Sequence, residues 1–204
     1  MPKILLGIFV SYLIGSIPTA YIFGRLLKGI DIRKFGSGNV GATNAMRILG
    51  KGPGILVLFL DILKGLFPVV FLGDMLGAGE LLRIILGVSC ISGHNWTVFL
   101  NFKGGKGVAS TFGVLLGLAF KIPGLRIVFI LMVLTWFLVF VLSRIVSLAS
   151  VLSAALLPVY TILFKQSRVL TVSSIILSVF LILRHKSNLK RILSGEEKRL
   201  KALS

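Results

Sequence analysis

Apolar runs of about 18 or more residues recur along this chain, and each is long enough to cross a bilayer as a helix. A backbone inside lipid must satisfy its own N–H and C=O groups, which a continuous helix does. With 56% of its 204 residues hydrophobic and only 14% charged, the chain is unlike a soluble domain. The sequence therefore predicts an all-α integral membrane protein. It forms a single polytopic domain over residues 1–204, with no separate soluble domain.

The runs predict seven transmembrane helices. The first covers Ile4 to Gly24, kinked or broken near Gly15-Ser16-Ile17-Pro18, and is read as a retained helix rather than a cleaved signal peptide. The second covers Pro53 to Leu72. The third runs from Leu81 through Cys90 toward the Ser92-Gly93-His94-Asn95-Trp96 turn, and the fourth, a short one, from Val108 to Phe120. The fifth covers Ile127 to Leu142, the sixth opens at Ser147 and ends near Phe164, and the seventh covers Val169 to Leu183.

The net charge of +17 is placed between the apolar runs, as orientation signals and headgroup contacts are, which argues against nucleic acid as a partner. Most of the 23 Lys and Arg fall on one side. That side carries the 25–52 loop, Lys103 and Lys106, Arg144, and a tail with Arg184, Lys186, Lys190, Arg191, Lys198, Arg199 and Lys201. The richer side is expected in the cytoplasm, so the N-terminus is outside and the C-terminus inside. The one cysteine, Cys90, lies in an apolar run and reads as a packed side chain.

Two glycine-rich stretches share the cytoplasmic side. In Asn101-Phe102-Lys103-Gly104-Gly105-Lys106-Gly107, three glycines in four positions allow consecutive amides to turn inward as an anion nest. Lys106 adds a point charge, and the residues after Gly107 can open a helix whose N-terminal amides favour an anion. A basic turn between two spans has the same composition, so the loop alone leaves both readings standing. The other stretch, Gly36-Ser37-Gly38-Asn39-Val40-Gly41-Ala42-Thr43-Asn44, offers hydrogen bonds from Ser37, Asn39, Thr43 and Asn44, with Arg47 able to hold a phosphate in bidentate fashion.

Asp61 and Lys64 lie three residues apart on one helix face inside the second span. Charge at that depth must pair or face a polar interior, so the pair is either a structural ion pair or part of the site wall. His185 and Asn188 share a helix face at the start of the tail, beside Arg184. An imidazole suits proton handling, although a lone histidine is more often structural, and His94 reads as orienting a turn. Lys106 is followed by Gly107 and the glycine spacing is wrong for a Walker A loop. No Gly-x-Ser-x-Gly elbow is present, and Phe99 stands where the histidine–four residues–aspartate motif needs its acid. Neither a metal nor a cofactor is expected, since no Cys/His/carboxylate cluster is visible.

In order along the chain stand Gly15-Ser16-Ile17-Pro18, Gly36-Ser37-Gly38-Asn39-Val40-Gly41-Ala42-Thr43-Asn44, Asp61-x-x-Lys64-Gly65 and Gly93-His94-Asn95-Trp96. They are followed by Phe102-Lys103-Gly104-Gly105-Lys106-Gly107-Val108-Ala109, Ser147-Leu148-Ala149-Ser150, Arg184-His185-x-x-Asn188 and Arg191-Ile192-Leu193-x-Gly195-x-Glu197. The ordered set resembles the bacterial integral-membrane acyl-phosphate:glycerol-3-phosphate acyltransferases (PlsY). The resemblance implies transfer of a fatty acyl group from acyl phosphate to the 1-hydroxyl of glycerol 3-phosphate, giving lysophosphatidic acid and inorganic phosphate, the first acylation of phospholipid biosynthesis. It implies seven spans in the bacterial cytoplasmic (inner) membrane, with the active site facing the cytoplasm. The substrates and membrane lipid would be the partners, with the acyl-phosphate-producing enzyme as a candidate protein partner.

Under that resemblance Lys106, Arg47, His185 and Asn188 are the catalytic candidates. Ser37, Asn39, Thr43, Asn44, Gly104, Gly105, Gly107, Ser147 and Arg184 would bind substrate or phosphate. Asp61, Lys64, His94, Asn95 and Glu197 would build or wall the site. The proton of the acceptor hydroxyl would go to His185 or to a phosphate oxygen of a substrate. A transporter of phosphorylated solutes is the rival reading, and it would need binding elements reachable from both sides.

Overall fold

A computed structural model of the chain describes residues 1–197, 199 and 200. Lys198 and Lys201, counted with the cationic tail, lie outside the described residues. Every regular element among the described residues is helical, and the chain divides into two compact units, Met1–Lys121 and a second beginning at Ile122.

In the first unit, α1 (Pro2–Ser16) stops because Ile17 precedes a proline and takes an extended ψ of 112°. α2 (Thr19–Lys28) resumes after Pro18 and ends on left-handed Gly29 (φ 65°), a common helix stop. The expected break in the first span is therefore present, and 2–28 still reads as one membrane-length segment. α3 (Ala42–Leu49) and α4 (Lys51–Phe67) follow a loop. Ala20, Ile32, Val40, Ala45, Leu49, Val57 and Leu100 form a buried cluster that seats that loop on its helices.

α4 continues through a π-helical turn, Pro68–Leu72, into α5 (Gly73–Met75). Arg83, on α6 (Glu80–Asn95), donates to the Val69 carbonyl at 2.7 Å and pairs with Asp74 at 2.8 Å. Those contacts satisfy backbone that a wide turn leaves exposed in an apolar setting. α7 (Val108–Lys121) completes the unit.

The helices of this unit cross at glycines. On α1 and α6, a Cβ at Gly15 would strike the Cys90 carbonyl, and one at Gly93 would strike the Tyr12 carbonyl. On α4 and α7, Gly65 meets the Ser110 carbonyl and Gly113 the Ile62 carbonyl. Small residues at crossings let backbones approach, which drives helix association where lipid removes the hydrophobic incentive. Ser11 on α1 and Ser89 on α6 donate to the facing Leu86 and Ile8 carbonyls, at 2.5 and 2.8 Å.

The second unit contains α8 (Leu125–Ser143), α9 (Val146–Leu163), α10 (Arg168–Arg184) and the short α11 (Lys186–Leu193). α9 packs against both α8 and α10. Thr135 meets Tyr160 at 2.6 Å and Thr161 meets Ser174 at 3.1 Å, so hydroxyls join the helices here too. α11 turns 60° away from α10.

Among the described residues, four helical segments are long and apolar enough to cross a membrane, 2–28, 51–75, 125–143 and 146–163, and α10 with α11 makes a fifth if the bent pair is one span. This is fewer than the seven expected. With the bent pair counted as one span, the other two expected crossings fall on α6 and α7, which have 16 and 14 residues. At 1.5 Å per residue α7 is about 21 Å long, well short of a roughly 30 Å hydrocarbon core.

Candidate active site

The glycine loop is built on the end of α6. Thr97 donates to the Ser16 carbonyl at 2.5 Å and accepts from the Phe99 amide, starting a tight turn. Asn101 and Phe102 take left-handed angles (φ 52° and 59°), sending the chain back along α6. Gly104 then donates its amide to the Asn95 carbonyl at 3.1 Å, and Gly105 donates to the His94 carbonyl at 3.0 Å. The expectation that these two amides turn toward an anion is thereby corrected, because both are spent on main-chain bonds. The glycines serve close approach: a Cβ at Gly104 would meet the His94 carbonyl, and one at Gly105 would meet His94 Nε2. Gly107 needs its glycine for φ 81° as well.

Half-buried Lys106 sits between Gly105 and Gly107, both of which are buried. α7 starts at Val108 as expected, and Thr111 donates to the Gly107 carbonyl at 2.8 Å. The first-turn amides of α7, next to Lys106 in sequence, have no acceptor within the helix.

Asn44 is also corrected. It is 1% exposed, its Oδ1 accepts from the Ser37 amide at 2.9 Å, and its Nδ2 donates to the Phe35 and Ile32 carbonyls. It braces the loop from inside and has no donor left for a phosphate. Ser37 is exposed by the bracing, while Asn39 and Thr43 are half-buried and Arg47 stands exposed in the last turn of α3. At the loop's entrance the Arg33 guanidinium, hydrogen-bonded to Asp31, holds that carboxyl down at about 2.

Asp61 and Lys64 are the buried ion pair that their spacing suggests, 2.7 Å apart. Thr19 donates to Asp61 Oδ1, Lys64 donates to the Ile17 carbonyl at 2.9 Å, and Cys90 donates to the Lys64 carbonyl at 3.1 Å. The pair thus anchors the broken segment between α1 and α2. His94 Nδ1 faces the same Asp61 oxygen at 3.8 Å.

In the second unit Glu197 gathers three donors. Ser147 reaches Oε1 at 2.7 Å, Asn188 reaches Oε1 at 2.6 Å, and Arg191 reaches Oε2 at 2.7 Å. Burial pushes the Glu197 carboxyl up, but the hydrogen bonds from Asn188, Ser147 and Arg191 outweigh it and hold it below its usual range. The expectation that Ser147 donates to phosphate is corrected here, since its proton is given to Glu197. Buried His185 lies one turn from the Leu181 carbonyl, with Nδ1 at 2.8 Å. A carbonyl only accepts, so Nδ1 carries the proton and the neutral ring keeps its basic lone pair on Nε2. Arg184 is half-buried at the end of α10.

Comparison with known proteins assigns this arrangement to a family. The glycerol-3-phosphate acyltransferase family model matches residues 5–195. The chain belongs to the glycerol-3-phosphate acyltransferase family. It is 45% identical to "Glycerol-3-phosphate acyltransferase 2" of Moorella thermoacetica, over 96% of this chain and 97% of that one. It is 42% identical to the glycerol-3-phosphate acyltransferase of a Synechococcus species, over 96% and 94% of the two chains. Among solved structures it resembles PlsY (YgiH), an integral membrane glycerol 3-phosphate acyltransferase, in its glycerol 3-phosphate form. That match has a TM-score of 0.88 at 36% identity, covering 98% of this chain and 96% of the other. The lysophosphatidic acid form of PlsY matches with a TM-score of 0.85 at 35% identity, over the same shares of the two chains.

Within this acyltransferase family member, the structure joins Gly104, Gly105, Gly107, Lys106, His94 and Asn95 in one loop–helix assembly. It joins Ser37 to Asn44 in another, and Ser147, Asn188 and Glu197 in a third. Two supporting residues were missed from the sequence. Thr19 carries no local signal, because its partner Asp61 is 42 residues away. Arg191 did carry one, since it shares a short tail motif with Glu197 and opposes its charge.

Proposed function

We propose that the chain transfers a fatty acyl group from acyl phosphate to the 1-hydroxyl of glycerol 3-phosphate, releasing lysophosphatidic acid and inorganic phosphate. The observation that carries this reading is the likeness, over 98% of the chain, to a structure named for its glycerol 3-phosphate form. The matching lysophosphatidic acid form agrees with the product. An acyl phosphate is a mixed anhydride whose leaving group needs no activation by a covalent enzyme intermediate, in keeping with the missing nucleophile elbow.

In the proposed reaction the glycerol 3-phosphate hydroxyl attacks the acyl carbonyl carbon. The C–O bond to phosphate breaks, and inorganic phosphate leaves with its electron pair. Lys106 and the α7 N-terminus stabilise developing phosphate and carbonyl charge. Arg47, with Ser37, Asn39 and Thr43, holds a phosphate, and Arg184 supplies a further cation. His185 Nε2 takes the hydroxyl proton, or a substrate phosphate oxygen does so. Asn188, fixed by Glu197, orients the substrate beside His185. Bringing two bound reactants together supplies several kcal/mol of the acceleration, about 7–11 in ideal intramolecular models.

The proposed setting is the bacterial inner membrane, crossed seven times, with the N-terminus outside and these residues reached from the cytoplasm. Clustering of cations between particular apolar runs supports the orientation. The short α6 and α7 would then cross where the bilayer thins.

The test is purified protein in lipid nanodiscs with glycerol 3-phosphate and acyl phosphate. Equal amounts of inorganic phosphate and lysophosphatidic acid are expected, with no product from acyl-CoA. Product from acyl-CoA alone would reject the donor assignment. Solute flux without product would favour a transporter.

A further inference from the structure

The end of α6 holds the glycine loop with two side chains as well as two carbonyls. His94 lies over Gly105, where any Cβ would run into its Nε2, and the Asn95 amide lies 3.0 Å from the position of a Cβ at Gly107. The other edge of the His94 ring, Nδ1, stands 3.8 Å from Asp61 Oδ1. That oxygen is fixed in turn by Thr19 and by Lys64, and Lys64 is tied to Ile17 in the break between α1 and α2. All four side chains are buried: Asp61 at 1% exposure, His94 at 7%, and Thr19 and Lys64 at 8%. Buried charged groups resist displacement, because no water replaces a lost partner. A rigid ring is therefore held between a fixed carboxylate and a backbone that has no side chain to yield.

We propose that His94 is a positioning residue for acyl transfer: its ring spaces the glycine loop from the buried Asp61–Lys64 pair and so sets where Lys106 stands. This rests on the reading in which Lys106 meets a substrate phosphate. Lys106 follows Gly105 directly, so a shift of the Gly105 backbone carries Lys106 with it. A misplacement of about 1 Å at a reacting centre costs on the order of a hundredfold in rate. Asp61 and Lys64 thus act on the loop through His94 without touching substrate.

The experiment compares the parent chain with Gly105→Ala, His94→Ala and the double variant, all in nanodiscs. It reads acyl transfer, thermal unfolding, and amide exchange in peptides covering 103–107. Gly105→Ala should lower kcat/KM about a hundredfold, by the misplacement argument, and speed exchange selectively in that peptide. The double variant should recover about tenfold over Gly105→Ala, because the added methyl enters space the ring has left; such coupling is in the range measured for touching residues. Losses that multiply without recovery would overturn the proposal, since a general loss of structure gives no rescue. Should His94→Ala not fold, exchange in Gly105→Ala decides, and unchanged exchange at 103–107 overturns the proposal. If the parent chain transfers no acyl group, the proposed function fails, and the exchange rates alone then judge the contact between His94 and the loop.

Discussion

The Glu197 carboxylate accepts a hydrogen bond from the Ser147 hydroxyl at 2.7 Å, joining the tail to the start of α9 across 50 residues of chain. The same oxygen holds Asn188, and Arg191 holds the other. Glu197→Gln removes the charge these donors converge on and should destabilise the protein by about 1–3 kcal/mol. The carboxyl is held below its usual value of 4.5, so its stabilising effect is complete above that value. The effect is lost as pH falls through the lowered folded value. Thermal unfolding of parent and variant should therefore differ at neutral pH and converge in acid.

Arg47 is exposed, where a pairing is worth little, so Arg47→Ala should cost at most about 1 kcal/mol of stability. Under the proposed function it should lower turnover by about a hundredfold, as losing one charge-stabilising donor does. Arg47→Lys should restore little, because an ammonium lacks the two-pronged geometry. Phosphate release measured beside an unfolding curve checks both halves.

His185 bears on the proton's destination. With Nδ1 bound to the Leu181 carbonyl, Nε2 is the basic nitrogen, and a base must be unprotonated to act. The pH profile of kcat/KM should then fall on the acid side in the parent and lose that limb in His185→Gln. A limb that persists would assign the proton to a substrate phosphate.

Gly113 tests the crossing of α4 and α7. A Cβ there would strike the Ile62 carbonyl, which is backbone and cannot swing aside. Gly113→Ala should cost about 1–3 kcal/mol, as overpacking does. Denaturation in detergent reads it, with Gly52→Ala as the control, since a Cβ at Gly52 meets nothing within 4 Å.

Features governed by neighbours in sequence were legible before the fold was known. Pro18 marked the break in the first span, and Gly107 marked the start of α7. The three-residue spacing of Asp61 and Lys64 marked their pairing. Features governed by distant partners were not. The Gly104 and Gly105 amides looked available because the carbonyls that take them belong to the end of α6. Asn44 looked like a ligand because its three backbone partners lie 7, 9 and 12 residues earlier, at spacings that no helical or strand period signals. Ser147 looked like a donor because its acceptor lies 50 residues away. The positions of α6 and α7 were legible too, but hydropathy alone does not show whether helices of 16 and 14 residues cross a bilayer.

The wide turn at Pro68–Leu72 amounts to one extra residue wound into a helix. In regular winding, one residue rotates everything beyond it by about 100°. Removing a residue from the wide turn would instead let it tighten to the ordinary pitch and leave Gly73 and Asp74 on nearly the same bearing toward Arg83, while Asp61 and Lys64 kept theirs. Removing one between 55 and 60 would instead swing the buried charges out of phase with Thr19. The helix can therefore give up a residue at its far end, but none on the stretch that leads to the buried charges.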